Sequence, residues 1–137
     1  MAARVRLKIA VAVSSNPDNE ERDLGNVNSE VVCDGVSDGG TWQMVLAPNS
    51  TDVPCQLTQL AAGRLLAVRA FSNDANVNPV AITMKKNGTG GEPWTLSPLP
   101  NTKEANFVCT SDGLTALYFS NASTTVAMRV IVVMAGD

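Results

Sequence analysis

The sequence predicts an all-β protein, folded as an antiparallel sandwich or barrel of about eight strands. Three observations favour this class. Short runs rich in Val, Leu and Ile recur along the chain, their apolar residues alternate with a period of two, and clusters of turn-forming residues separate them. No stretch shows a convincing helical period longer than one turn. At 137 residues the chain is expected to form a single domain, 1–137.

The first strand is expected near the N-terminus, where apolar residues alternate with basic or small ones. One face of this strand would hold Val5, Leu7, Ile9, Val11 and Val13, and the other Arg4, Arg6, Lys8, Ala10 and Ala12. A signal peptide has its basic residues before an uninterrupted apolar run, whereas Lys8 interrupts this one. We therefore expect a half-buried strand in a protein that is made without secretion.

A long acidic loop is expected at about 14–40. This segment has many turn-forming residues and only one basic residue, Arg22. Its acidic residues are Asp18, Glu20, Glu21, Asp23, Glu30, Asp34 and Asp38. A solvated surface and a surface that meets a basic neighbour both produce this pattern. Long loops inside compact domains are commonly functional or disordered.

Six further strands are expected in the middle of the chain. They are Thr41–Ala47, Pro54–Gln59, Arg64–Phe71, a strand marked by Val80, Ile82 and Met84, Trp94–Leu96 and Glu104–Cys109. Loops are expected at Ser72–Pro79 and Asn87–Pro93, and turns at Pro48–Asp52 and Ser111–Gly113. Trp42, Met44 and Leu46 share one face, which favours a place in the core.

The C-terminal stretch is expected to form a β-hairpin around a turn at Ser120–Thr125. Leu117 and Phe119 would share one face of its first strand. In its second strand one face would hold Val126, Met128, Val130, Val132 and Met134. The opposite face of that strand is mostly apolar too, so we expect it near the centre of a sheet or under a partner subunit.

The composition excludes several functions. The chain has no histidine, which rules out Ser-His and Cys-His nucleophiles and every zinc site that needs histidine. Its net charge of −3 argues against nucleic acid as a partner. No apolar run reaches the roughly 20 residues that would span a bilayer.

The remaining candidates for chemistry are weak. Cys33, Cys55 and Cys109 form no C-x-x-C pair and are expected to be reduced, packed thiols, with a disulfide between two of them as the alternative. Asp34–Gly40 lacks the ligand spacing of a calcium loop, which favours an ordinary turn. We therefore expect no enzymatic activity, no cofactor and no metal.

Two parts of the sequence, 52–70 and 113–136, have the strand-rich pattern of a known family. With Asn, Ser, Thr and Gly in the loops and no histidine, they resemble the jelly-roll decoration (cement) proteins on the capsids of tailed bacteriophages. The resemblance implies a jelly-roll-like β-sandwich that forms a homo-oligomer, a dimer or a trimer. It also implies a non-enzymatic virion protein, synthesised in the host cytoplasm, which binds the major capsid protein on the capsid surface and stabilises contacts between capsomers.

This resemblance makes three groups of residues candidates for contact with a partner. They are the basic positions Arg4, Arg6 and Lys8, the acidic positions Asp18, Glu20, Glu21 and Asp23, and Trp94. Two other functions remain open, because jelly rolls serve many purposes. One is a structural component of a phage tail or baseplate. The other is a carbohydrate-binding module in which Trp94 and Tyr118 stack on a sugar.

Overall fold

The computed structural model describes the backbone of residues 3–14, 21–33, 38–55, 57 and 62–136, and the side chains of residues 39–55, 57, 62–110 and 113–136. Within these ranges the protein has ten β-strands and no helix, so the all-β prediction is confirmed. The strands are β1 (Ala3–Ser14), β2 (Glu21–Cys33), β3 (Asp38–Leu46), β4 (Ser50–Cys55), β5 (Gly63–Ser72), β6 (Ile82–Lys86), β7 (Trp94–Leu96), β8 (Glu104–Leu114), β9 (Leu117–Asn121) and β10 (Met128–Gly136).

Eight of these strands form a sandwich of two antiparallel sheets. The β10 sheet has the strand order β3-β10-β5-β8, and the β9 sheet has the order β4-β9-β6-β7. Side chains from both sheets pack into one core, which includes Leu66, Val68, Val130 and Val132 from the β10 sheet and Ile82, Met84, Leu117 and Phe119 from the β9 sheet. The predicted sandwich of about eight antiparallel strands is therefore confirmed.

Strand pairing within the sandwich is nested. β3 pairs with β10, β4 with β9, β5 with β8, and β6 with β7. Two further pairings, β10 with β5 and β9 with β6, join these pairs into the two sheets. Consecutive strands of the sandwich therefore lie in opposite sheets, except β6 and β7, which are neighbours in one sheet.

β10, one of the two inner strands of its sheet, has the alternation that the sequence predicts. Met128, Val130, Val132 and Met134 are fully buried, while the residues between them face outward. The strand lies between β3 and β5, which confirms its predicted place near a sheet centre. The predicted inward face of β3 is also confirmed, since Leu46 is fully buried and Trp42 and Met44 pack against the core.

The prediction of a C-terminal hairpin was wrong, because β9 and β10 belong to different sheets. The buried side chain of Asn121 organises the crossing between them. Its Nδ2 donates to the carbonyl oxygens of Val126 at 2.8 Å and of Leu46 and Ala47 at 3.3 Å each. Its Oδ1 accepts a hydrogen bond from the Ser123 amide at 3.1 Å. These bonds join the end of β3 to the loop that leads into β10.

The remaining two strands, β1 and β2, form an antiparallel hairpin that we call the arm (residues 3–14 and 21–33). The predicted first strand is confirmed as β1. The prediction of a loop at about 14–40 was wrong for residues 21–33 and 38–40, because these residues lie in β2 and β3. Gly25, Asn26 and Asn28 have low strand propensity, so this segment is a strand because it pairs with β1. Residues 15–20 and 34–37 lie outside the described part of the chain.

Two other boundaries differ from the predictions. β4 begins at Ser50, within the segment expected to be a turn. β8 continues to Leu114, through the turn predicted at 111–113. The register between β5 and β8 shifts there, because Leu65 pairs with Thr110 while Gly63 pairs with Leu114. Gly113 has a φ of 75°, which glycine adopts without strain, so a bulge replaces the turn.

Candidate functional site

The described side chains form no obvious catalytic or metal-binding site. No group of three or more Cys, Asp or Glu residues among them is placed to hold a metal ion, and residues 34–37 of the weak calcium candidate lie outside this part of the chain. Cys55 and Cys109 are free thiols, as predicted. Burial raises the pKa of the Cys55 thiol to about 11 and also raises the pKa of Cys109. Both residues therefore resemble packed structural thiols rather than nucleophiles.

Cys55 is expected to resist thiol reagents while the protein is folded. With a pKa of about 11, only about one Cys55 side chain in 1,000 is a thiolate at pH 8. We expect native labelling at pH 8 to be about 100-fold slower or more than labelling in 8 M urea, measured by peptide mass spectrometry. Cys109, which is partly exposed, serves as the internal comparison. Equally fast labelling of Cys55 in both states would contradict the raised pKa.

Trp94 lies in a packed cluster at the edge of the sandwich. Its ring centroid is 4.8 Å from that of Phe107 on β8, with an angle of 41° between the ring planes. The ammonium group of Lys86 lies over the indole, 4.3 Å from its centroid. This ammonium and a stacked sugar would compete for the same region of the ring. The arrangement therefore suits a supporting role beside a protein contact better than a sugar platform.

A groove next to Trp94 separates the edges of the two sheets, and we call it the edge groove. It has a volume of about 470 Å³ and is lined by Thr95, Leu96, Ser97, Leu99, Thr102, Glu104, Ala105, Asn106 and Phe107. Leu99 is 62% exposed, the highest value among the large apolar residues that are described. Since β7 and β8 are edge strands, each also has one side without a neighbouring strand in its sheet.

An apolar patch lies on the outward surface of the β10 sheet, and we call it the apolar face. It consists of Val45, Leu65, Ala67, Val108, Ile131 and Val133, which alternate with core residues. Val45, Val133 and Val108 are 52%, 48% and 39% exposed. Val133 and Val108 lie in one row across the sheet, since both pair in register with Ala67. Contiguous apolar surface of this kind commonly marks a site of interaction.

A second groove lies at one end of the apolar face, and we call it the basic groove. Its volume is about 390 Å³, and it is lined by Arg69, Phe71, Ser72, Asn73, Ala75, Val77, Pro79, Thr102, Lys103, Glu104 and Arg129. The Arg69 Nε is 2.6 Å from Glu104 Oε2, and this hydrogen bond lowers the pKa of the Glu104 carboxyl.

The other two cations of the basic groove have no carboxylate partner among the described residues. The guanidinium of Arg129 donates to Asn73 Oδ1 from Nη2 at 3.1 Å and from Nε at 3.3 Å, and that acceptor is neutral. Lys103 lies at the rim and is exposed. Glu104 is engaged by Arg69. The groove therefore has unbalanced positive charge beside the half-buried ring of Phe71.

The described residues that the sequence proposed as contacts lie in two separate parts of the protein, the arm and the sandwich. Arg4, Arg6 and Lys8 are in β1, in register with Val32, Glu30 and Asn28 of β2. Glu21 and Asp23 are in β2, in register with Ser14 and Ala12. Trp94 is in β7 of the sandwich. Asp18 and Glu20 lie outside the described residues.

Sequence reasoning missed the residues that define the three surfaces. Leu99 lies between Pro98 and Pro100, and prolines remove the backbone donors of a central strand, so the local sequence predicts no regular element there. The apolar residues on the outward side of β10 were noticed, but their exposure depends on which neighbouring strands cover them. Arg129 and Lys103 are isolated charges in the sequence, so no local pattern marks the basic groove.

Comparisons with family models, with curated proteins and with solved structures found no match. Among the described residues, no helix is long and apolar enough to cross a membrane. The surfaces of the protein itself therefore provide the basis for a functional proposal.

Proposed function

We propose that this protein is a non-enzymatic structural component of a phage virion, which binds the outside of the capsid and stabilises contacts between capsomers. The strand order of the sandwich supports a jelly roll, because nested pairing with β6 and β7 innermost matches the pattern expected when a long antiparallel ribbon wraps into two sheets. Jelly rolls of eight strands occur in viral capsid proteins and in lectins. The choice between such functions rests on the surface rather than on the fold.

The observation that carries the proposal is the edge groove. It combines an exposed leucine, Leu99, with two edge strands, β7 and β8. An extended segment of a capsid protein could bury Leu99 and add backbone hydrogen bonds along a strand edge, as in other cases of strand addition. Trp94 and Phe107 would support this contact from beneath.

Such binding would stabilise a capsid without any chemical step. A ligand that binds the assembled shell and not its separate subunits stabilises the shell in proportion to that difference in affinity. Many copies with modest interfaces add up to a large effect on one particle. The major capsid protein is accordingly the proposed partner, and the capsid surface the proposed location.

The first test is density-gradient sedimentation of particles from the native source, with this chain quantified against the most abundant shell protein. We expect near-stoichiometric amounts on large particles. Leu99→Asp should weaken binding to purified capsids by at least about tenfold, because it places an unpaired charge in an apolar contact. Val77→Asp, which changes another exposed apolar residue outside the edge groove, serves as the matched control.

Three results of these experiments would contradict the proposal, each in a different respect. Unchanged binding by Leu99→Asp would exclude the edge groove as the capsid contact. A few copies per particle would indicate a tail or baseplate component instead. Absence from all particle fractions would reject the virion function. Tyr118, the second residue of the sugar-binding alternative, is half-buried in β9, and no observation favours that function.

A further inference from the structure

We propose that the basic groove binds an acidic peptide segment of a partner protein in an extended conformation. Two carboxylates of this segment would contact Arg129 and Lys103, and an apolar side chain between them would cover Val77. The contact goes beyond the proposed virion function, because it uses a surface other than the edge groove and needs no capsid. The charge, the geometry and the shallow shape of the groove each support it.

The groove has more positive than negative charge. Its charged lining residues are Arg69, Lys103, Glu104 and Arg129. Arg69 and Glu104 neutralise each other, since their side chains form an ion pair. Asp74 is in the loop beside the groove, but it is not a lining residue, and its Oδ1 accepts a hydrogen bond from the Asn76 amide at 2.9 Å. Within the described part of the chain, two positive charges therefore remain for carboxylates of a ligand.

The guanidinium of Arg129 is held in position before a ligand arrives. Arg129 is in β10, an inner strand of its sheet, and its Nε and Nη2 both donate to Asn73 Oδ1. The backbone amide of Asn73 donates to the carbonyl oxygen of Ala127 at 3.0 Å, which fastens this loop to the chain just before β10. A guanidinium that is already ordered loses little freedom on binding, which favours a specific contact with a carboxylate.

Arg129 and Lys103 lie on opposite sides of the groove. Arg129 is in register with Phe71, and Phe71 with Glu104, which directly follows Lys103. Two strand spacings, about 10 Å, therefore separate the backbones of Arg129 and Glu104. An extended peptide rises about 3.3 Å per residue, so acidic residues two to four positions apart can reach both cations. The Lys103 amide donates to the carbonyl oxygen of Leu99 at 2.9 Å, so this side of the groove is also fixed.

The other lining residues favour a peptide over a small anion or a nucleic acid. Val77 is 38% exposed and Lys103 lies at the exposed rim, so the groove is too shallow to enclose a small ligand as binding pockets usually do. An extended segment can instead lie along it and cover Val77. A nucleic acid would meet a protein of net charge −3. The Arg69 guanidinium also lies over the Phe71 ring, 5.0 Å from its centroid, where a base would stack.

The test is an NMR titration of the isotope-labelled full chain with synthetic peptides that have blocked ends. The probe is Asp-Ser-Leu-Ser-Asp, in which the leucine and both aspartates share one side of the extended chain. We expect it to shift the signals of Asn73 and Lys103, and to bind at least about tenfold more tightly than the same peptide with asparagine at both ends. Arg129→Gln should weaken binding of the probe at least about threefold. Arg64→Gln, the same change in β5 outside the groove, should leave it unchanged.

Two matched variants separate this proposal from the virion function. Val77→Asp places a negative charge in the basic groove, so it should weaken peptide binding at least about tenfold and leave capsid binding unchanged. Leu99→Asp, in the edge groove, should have the opposite pattern. If the protein binds the peptide but is absent from every particle, the virion function fails and this proposal stands.

A charge reversal guards against variants that merely fold poorly. The double variant Lys103→Glu, Arg129→Glu should bind Lys-Ser-Leu-Ser-Lys more tightly than the aspartate peptide, a gain that a misfolded chain cannot produce. Equal binding of the aspartate and asparagine peptides would overturn the proposal, and so would the absence of any shift at millimolar peptide. Inorganic phosphate that produces the same shifts at the same concentration would indicate an unspecific anion site instead. Tighter binding of a thymidine oligonucleotide would also reject the peptide as the ligand.

Discussion

Asn121→Asp is expected to lower the free energy of unfolding by at least about 3 kcal/mol at pH 7. The amide of Asn121 is fully buried and donates to the carbonyl oxygens of Leu46, Ala47 and Val126. A carboxylate cannot donate, so it would place a negative charge beside these oxygens without compensation. Urea unfolding followed by tryptophan fluorescence measures the loss.

The pH dependence of this variant gives a second, independent result. The site would raise the pKa of the introduced carboxyl above its unfolded value of about 3.9, because only the protonated form can donate a hydrogen bond. The folded state then binds more protons than the unfolded state above about pH 4, so stability relative to the natural protein falls as pH rises from 4 to 7. Asn78→Asp, in an exposed loop, is the control and should change stability by less than about 0.5 kcal/mol.

Phe119→Ala is expected to lower the free energy of unfolding by about 3 to 5 kcal/mol. Phe119 is fully buried in β9 and is in register with Val53 on one side and Met84 on the other. Removal of the ring takes apolar contacts from the centre of the sandwich and leaves a cavity that these strands cannot close. The same urea experiment measures the effect.

The neighbouring residue provides a matched comparison for Phe119. Tyr118 precedes it in β9, is only half-buried and is on the opposite side of the sheet. Tyr118→Ala should therefore cost markedly less, about 1 to 2 kcal/mol. Similar losses for both substitutions would contradict the alternation of β9, and a loss below 1 kcal/mol for Phe119→Ala would contradict its place in the core.

Sequence patterns predicted the faces of the sandwich strands well. Val130, Val132 and Met134 recur at every second position, and such a period leaves few alternatives once one face is buried. Leu117 and Phe119 in β9 follow the same rule. The inward faces of β9 and β10 both follow from a local pattern, so they can be predicted without knowing which strands pair with β9 and β10.

The partners of each strand could not be predicted in the same way. β9 and β10 are adjacent in the chain and both suit a hairpin, yet Asn121 donates to the carbonyl oxygen of Leu46 at the end of β3 and thereby helps to separate them into two sheets. β2 contains Gly25 and Asn28, so its extended structure depends on β1 rather than on its own residues.

The candidate surfaces depend even more on tertiary structure. Val133 became a candidate only because its row of the sheet is uncovered, and Arg129 because its acceptor, Asn73, has no charge. The sequence suggests Trp94 as a contact candidate only as an aromatic residue that directly follows the expected loop Asn87–Pro93. Its contacts with Lys86 and Phe107, which bear on its role, connect positions that no local pattern relates.

The nested pairing of the sandwich has a consequence for its synthesis. Leu46 pairs with Met128 and Asp38 with Gly136. The first strand of the sandwich, β3, therefore has no strand to pair with until the last one, β10, has been synthesised. β5 also needs β10 on one of its sides. Contacts between such distant positions require large loops to close, which slows folding. The emerging chain is therefore expected to complete its sheets only after β10 has left the ribosome, and until then its unpaired strand edges are exposed to aggregation.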